Sequence, residues 1–505
     1  MSLARTWSVG LVGLAGGVVE VEVDLSSGLP GMAIVGLADT AIRESRDRVR
    51  AAVINSGMDW PNRKITIGLS PATLPKHGSG YDLALAVGVL AASEQLPAGT
   101  AEKFLFLGEL GLDGRLRAIR GVLPAVMAAV KSGHQQVVVA SDNGPEAQLV
   151  GDADVWVGAS LAEVVAFLRG DQEGQRPVTV APPPEIEVPD LVDVVGQAAG
   201  RLALEIAAAG GHHLLLTGPP GAGKAMLAER LPGILPPLTD EQALEVTAVH
   251  SLSGNLPRGS PLIRRPPFES PHHSATMPAL VGGGSPMARP GAISRAHRGV
   301  LFLDEAPEFG RGLLDSLRQP LENGVVSLHR AAGVSTFPCR CQLILAANPC
   351  PCAPATGDAD CGCSSVARRR YADRLSGPLL DRVDLQVSLP AVSRRALLDG
   401  EAQREGSAQV ATRVVQARTA SAARLSAWGR QLNGDVPGTV LREGLRLPRT
   451  ALASAEMAMD RGLLSVRGFD RVLRVAWTLA DLAGLSSPRG AEVDAAVGLR
   501  LRRIG

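Results

Sequence analysis

The chain has 505 residues, 45% hydrophobic and 20% charged, too many for one core and ordinary for a globular protein of two to four domains. Lys and Arg total 51 against 50 Asp and Glu, a net charge of +1, so a polyanion would have to meet a local basic patch or a lined pore. Aromatic residues are 3% of the chain, which excludes a broad base-stacking platform, and no run of about 18 uninterrupted apolar residues predicts a membrane span.

In chain order, Arg5 followed by VGLVGLAGGVV has the look of a short secretion signal. Val19-Glu20-Val21-Glu22-Val23-Asp24 then alternates strictly, which predicts a half-buried strand over 18–25 and a cytoplasmic protein. Strand patterns recur at 64–69, 104–107 and 136–140, and helical patterns at 41–56, 81–93 and 123–132. They predict an α/β or α+β domain over residues 1–170. Residues 171–190, rich in proline and charge and without period, read as a linker. A second α/β domain is expected over 191–390. From 391 to 505 strands give way to helical patterns near 407–427, 449–461, 465–483 and 490–502.

The second domain opens on residues 214–225, LLLTGPPGAGKA. An apolar strand runs into Gly218, Pro219, Pro220, Gly221, Ala222, Gly223 and Lys224, and a helical pattern follows. This is the context of a phosphate-binding loop: backbone N–H groups close around the β-phosphate and Lys224 adds a point charge. The motif wants Ser or Thr next, to hold Mg²⁺, and this chain has Ala225. A water can replace that ligand, so ATP binding is expected to survive better than hydrolysis.

Some 80 residues on, Val300-Leu301-Phe302-Leu303 ends in Asp304 and Glu305. Asp304 is expected to orient the Mg²⁺ shell, and Glu305 to polarise the water that attacks the γ-phosphate. A further buried strand, 342–347, ends at Asn348, whose amide can reach that water. Arg382 follows a short apolar turn and Arg467 opens a late helix. Either can neutralise charge in phosphoryl transfer, from a neighbouring subunit or a lid.

All six cysteines fall between Cys339 and Cys363. Cys350, Cys352, Cys361 and Cys363 form two tight pairs that suit tetrahedral Zn²⁺ and would brace a long loop; buried structural thiols are the alternative. Cys339 and Cys341 read as core or spare thiols.

Strand–GPPGAGK–helix, LFLDE, LAANP, LLDRVDL and a helical lid resemble the AAA+ ATPases of the magnesium-chelatase and MCM-helicase branch. VEVDLSSGLPGMAIVGLADTAIRESRDRVRAA, LPKHGSGYDLALAVGVLAAS, SPHHSATMPALVGGGS and NPCPC extend the likeness over nearly the whole chain, to the YifB/ComM family of magnesium-chelatase-like proteins. The resemblance implies that Asn348 is the sensor-1 residue, Arg382 the arginine finger and Arg467 the sensor-2 arginine. It implies a homo-oligomeric, hexameric ring using ATP and Mg²⁺, acting on branched or single-stranded DNA beside recombination proteins, as in branch migration during natural transformation.

Two further resemblances add sites. Residues 321–333, LENGVVSLHRAAG, resemble the pre-sensor-1 hairpin of MCM helicases, which makes Arg330, with His329, the candidate DNA phosphate contact. Arg368, Arg369 and Arg370 are a second candidate. PKHGSG and GELGLDGRLRAIRG resemble the Lon protease domain, but the position of its lysine base is Leu123 by alignment, so Ser79 has no base and proteolysis is not expected. A chelatase-type ATPase subunit that remodels a partner protein, and an ATP-binding scaffold ring that hydrolyses poorly, stay open beside the DNA motor.

Overall fold

The computed structural model describes residues 2–36, 39–178, 188–256, 262–284, 288–330, 333–354, 361–392 and 405–501. The N-terminal part is built on β1 (Ser2–Val12), β2 (Ala15–Ser26), β3 (Gly31–Val35), β4 (Lys64–Ser70), β5 (Leu105–Leu107), a small hairpin of β6 (Glu109–Leu110) and β7 (Leu116–Arg117), β8 (Gln136–Ala140) and β9 (Asp154–Gly158). Seven of these form one mixed sheet in the order β3-β4-β2-β1-β5-β8-β9. Alternation in β2 buries Val19, Val21 and Val23 and leaves the glutamates between them at the surface side. The helix Asp82–Ala92 lies in the core, with every residue but Ala91 buried.

The stretch at Arg5 that mimics a secretion signal is β1. It pairs along its whole length with β2, from Ser2↔Leu25 to Val12↔Ala15, across a turn in which Gly13 takes φ 65°. Sequence reading also passes over β3 and β9, which are short, and the helix Leu161–Arg169, although its buried Leu161, Val164, Val165 and Leu168 repeat at helical spacing. The expected linker is tethered at its near end: Gln175 bridges to Val157, and Arg176 lies over the Trp156 ring 3.5 Å from its centroid. Apolar ring surface and a carboxylate at Asp154 fix a segment whose own sequence has no period. Residues 179–187 of that expected linker lie outside the described residues.

The second sheet holds β10 (Leu214–Thr217), β11 (Phe268–Glu269), β14 (Val300–Leu303), β17 (Gln342–Ala347) and β18 (Leu385–Ser388), all parallel, in the order β11-β14-β17-β10-β18. Two hairpins stand outside it: β12 (Gly282–Gly283) with β13 (Arg289–Pro290), and β15 (Val325–Arg330) with β16 (Gly333–Pro338). β11 and β18 have two and four residues, too few to stand out in the sequence. Parallel strands covered on both faces are apolar without alternation, and β10, β14 and β17 are buried nearly throughout.

The C-terminal helices Ser407–Leu425, Arg449–Asp460, Val466–Leu482 and Gly490–Arg500 share one apolar core with the helix Ala198–Gly210 and β10. Residue 502 of the last expected helix lies outside the described residues. The two sheets also meet. The β1–β2 turn sits against β16, where a Cβ added at Gly13 would come 2.7 Å from the Thr336 carbonyl oxygen. Leu11 and Leu14 close over Phe337, Leu252 and Ala288, and the Ser251 hydroxyl donates to the half-buried Glu146 carboxylate.

Candidate nucleotide and nucleic-acid site

β10 delivers the chain into the glycine loop at the carboxyl edge of the sheet, where open parallel sheets bind ligands. Gly221 (φ 76°) and Gly223 (φ 83°) take left-handed conformations, and the helix Lys224–Arg230 begins directly after. Lys224 is 9% exposed, and its ammonium donates to the carbonyls of Gly218 (2.7 Å) and Pro219 (3.0 Å) and to Asn348 Oδ1 (3.0 Å). Burial lowers its pKa, and the Asp304 and Glu305 carboxylates oppose that shift. Three elements therefore converge on one amine.

Pairing explains the convergence. β17 lies between β10 and β14, with Thr217↔Ala347 and Leu303↔Leu345 in register, so the residues after all three strands emerge side by side. Asn348 follows β17 and Asp304 follows β14. Asp304 Oδ1 accepts from the Glu305 N–H at 2.9 Å, and Glu305 sits at φ 50°. His273 Nδ1 lies 3.2 Å from Glu305 Oε2, with the His272 ring tilted against the His273 ring at 4.1 Å between centroids. Sequence reading assigns no role to His273; it comes from the loop after β11, and only the β11–β14 pairing brings it to Glu305.

Ala225 is half-buried and packs with the core around Leu227 and Leu204. Its methyl group stands where the loop motif has a hydroxyl, and Thr217 Oγ1 is turned away, donating to Val387 O at 3.4 Å. The donor set therefore fits ATP through the loop amides and Lys224, and fits Mg²⁺ through Asp304 alone among these residues.

Arg382 and Arg467 are not brought to this cluster. β10 and β18 are parallel; the glycine loop follows the first and Arg382 precedes the second. Four strand residues, roughly 13 Å, separate those edges. Arg382 pairs with Glu322 and donates to Pro378 O at 2.8 Å. Arg467 is exposed near the start of its helix, and its neighbours Leu464, Ser465 and Gly468 line a cleft with Gly377 and Asp381, close to Arg382. Beneath them Arg471 and His212 hold Asp384 at 2.5 and 3.5 Å.

The ligand sulfurs of Cys350, Cys352, Cys361 and Cys363 all lie within 4.8 Å of one another, with Cys350 3.3 Å from both Cys352 and Cys361. A ZnS₄ tetrahedron with bonds of about 2.3 Å has edges of about 3.8 Å, so the donor set fits. Hydrogen bonding to Cys363 and Cys350 pushes Cys352 up to about 12. Cys339 and Cys341 stand apart: both belong to the sheet core, and Cys339 donates to Pro320 O at 3.4 Å.

Arg330 ends β15, exposed beside exposed His329 and paired across the hairpin with Gly333. Residues 331–332 at the tip lie outside the described residues. In the N-terminal part, Ser79 donates to Glu109, Leu123 is buried in the helix Val122–Lys131, and Lys76, fully buried, spends its ammonium on the carbonyls of Leu69 (3.0 Å) and Pro71.

Comparison with known proteins agrees with this architecture. A family model described as magnesium chelatase, subunit ChlI, matches residues 190–397; two others, for subunit ChlI of Mg-chelatase and for its C-terminal part, match 21–143 and 404–500. An uncharacterized protein of Mycobacterium tuberculosis is 54% identical over 99% of both chains. YifB of Escherichia coli is 43% identical over 95% of this chain and 94% of its own, and competence protein ComM of Haemophilus influenzae 42% over 96% and 94%. Over 31% of this chain and 21% of its own, Lon protease of Mycolicibacterium smegmatis is 27% identical. Among the described residues no helix is long and apolar enough to cross a membrane.

Proposed function

The chain belongs to the YifB/ComM family of magnesium-chelatase-like AAA+ ATPases, and from that premise we propose that it is a ring-forming motor that moves branched or single-stranded DNA in recombination or DNA uptake. The observation that carries the reading is Arg330: exposed, without an ion pair among the described residues, at the end of a hairpin that leaves the ATP core between the strands bearing Glu305 and Asn348. The name of its relative, a competence protein, supports the same direction.

In this reading Lys224 and the loop amides bind the phosphates, and Asp304 with waters would hold Mg²⁺, which screens phosphate charge. Glu305, oriented by His273, polarises the attacking water, and Asn348 positions it against the γ-phosphate. Arg382 and Arg467 lie across the sheet from the chain's own loop, so they serve a neighbouring subunit's nucleotide in a hexameric ring. The four cysteines hold one structural Zn²⁺. The chain divides into a Lon-like domain (1–170) without a Ser–Lys dyad, a linker (171–190), an ATPase core (191–390) with a cysteine-rich insert (339–363), and a helical subdomain (391–505).

The test is ATPase activity with and without four-way DNA, alongside DNA binding across salt, for wild type and Arg330→Ala. Wild type should be stimulated, and removing one phosphate-binding arginine should flatten the plot of log affinity against log salt by about 0.7–0.9 for each subunit that touches the strand. Basal ATPase of the variant should stay near wild type. A wild type neither stimulated by DNA nor bound to it would replace this reading with partner-protein remodelling. Ala225 specifically favours one alternative, a ring that binds ATP and scarcely hydrolyses it.

A further inference from the structure

The helix Ser365–Ala372 begins two residues after Cys363, capped by the Ser364 hydroxyl, which accepts from Ala367 N–H at 3.2 Å. The Ser364 cap thus starts the helix directly after the four-thiol cluster. Tyr371, 4% exposed, faces inward; at about 100° per residue Arg369 lies about 160° around from it, with Arg368 and Arg370 on either flank. All three arginines are exposed, and none has a carboxylate partner among the described residues. Of the acids nearby, Glu308 pairs with Arg374 at 2.7 Å, and Asp373, at the helix end, makes no ion pair with the three arginines among the described residues. The helix dipole favours cations in the last turn, which eases the placement of Arg369 and Arg370. Three adjacent guanidinium groups still repel one another until an anion meets them.

The inward side leads to the ATP site. Burial, with the Glu308 and Glu305 carboxylates nearby, pushes the Tyr371 phenol up to about 12, and the Asn348 backbone lies near enough to oppose that shift. Asn348 in turn holds Lys224 at 3.0 Å and lies two residues before Cys350.

Resting on the DNA reading above, we propose that this metal-braced helix is a second nucleic-acid contact. In it Arg368, Arg369 and Arg370 bind backbone phosphates, and Tyr371 carries that contact to Asn348. Arginine suits this role because its planar fork matches phosphate oxygens two at a time. The surface is separate from the hairpin that bears Arg330, so the two sites make independent contributions to the salt dependence.

The experiment uses full-length protein and a fluorescent forked DNA. The triple variant R368A/R369A/R370A is compared with wild type for salt-dependent binding, basal ATPase, ring size by sedimentation and zinc content. The salt slope should flatten by about 2 units for each subunit whose helix touches the strand, with basal ATPase, ring size and zinc unchanged. Tyr371→Phe should keep DNA affinity and zinc but lose at least half of the DNA stimulation. An unchanged slope in the triple variant, with wild type binding DNA, overturns the proposal and leaves the DNA reading standing. Loss of the ring with zinc retained makes the helix a subunit interface and also overturns it. Full stimulation in Tyr371→Phe removes the coupling. Failure of wild type to bind DNA ends both readings.

Discussion

Lys224 and Ala225 are adjacent in the chain and opposite in consequence. The buried lysine donates hydrogen bonds to loop carbonyls and to Asn348, and two nearby carboxylates oppose the lowering of its pKa by burial. The alanine offers no oxygen, so Mg²⁺ would lack one protein ligand while the phosphate cradle stays whole. Restoring it with Ala225→Thr should raise kcat about tenfold or more, about 1.4 kcal/mol of transition-state stabilisation, and change nucleotide affinity by less than about twofold. Steady-state ATPase kinetics with nucleotide titration check this, and equal changes in both quantities would refute it. The loop, Asp304, Glu305 and Asn348 were legible as residues because each ends or follows a contiguous apolar run. His273 was not, because its meeting with Glu305 depends on a two-residue strand pairing with its neighbour.

Among elements, the cysteine loop and the floor of the second sheet each carry a prediction. Elemental analysis of protein purified without chelator should find about one zinc per chain, absent from the double variant Cys352→Ser and Cys361→Ser. Absence of metal from wild type, or its retention in the variant, would reject the assignment. Beneath the sheet, burial pushes the Asp384 carboxyl upward, but Arg471, His212 and His213 overcome it and hold it well below the usual range. Desolvation pushes His213 down to about 4 against the opposing Asp384 carboxylate, with Arg471, His212 and Arg474 adding to the fall. The signs agree. His213 binds a proton more readily when unfolded, so stability should fall as pH drops from about 6.5 towards 4; Asp384 removes more below that. His213 Nδ1 accepts from Leu343 N–H at 3.0 Å, a bond that Asn can imitate. Urea unfolding of His213→Asn should therefore show a shallower loss between pH 7 and 5 than wild type, and an equal loss would contradict this account.

At the scale of the whole molecule, the N-terminal sheet is joined to the ATPase core at the hairpin that bears Arg330. Gly13 meets Thr336, and Leu11 and Leu14 cover Phe337, so the hairpin packs directly on the N-terminal part. The proposed ring carries the remaining prediction. Arg382 precedes β18 while the glycine loop follows β10, and the proposed ring therefore gives Arg382 to a neighbouring subunit's nucleotide. Arg382→Ala and Glu305→Gln should each abolish turnover alone, and mixing them should restore part of it, since one kind of interface in a mixed ring keeps both groups. No recovery in rings shown to be mixed would assign Arg382 a role within its own subunit.

The sequence by itself determined the glycine loop, the acidic and sensor strands, the four cysteines and the helical C-terminus. Each is written in consecutive residues whose apolar runs, periods or spacings are local. Only the tertiary structure decided which of these meet. The strand order β11-β14-β17-β10-β18 brings Lys224, Asp304, Glu305, Asn348 and His273 to one edge and leaves Arg382 at the other. It also decided that the signal-like start is a sheet strand and that the N-terminal sheet braces the hairpin. Those outcomes rest on pairing and packing between residues far apart in the chain, whose energy no local pattern records.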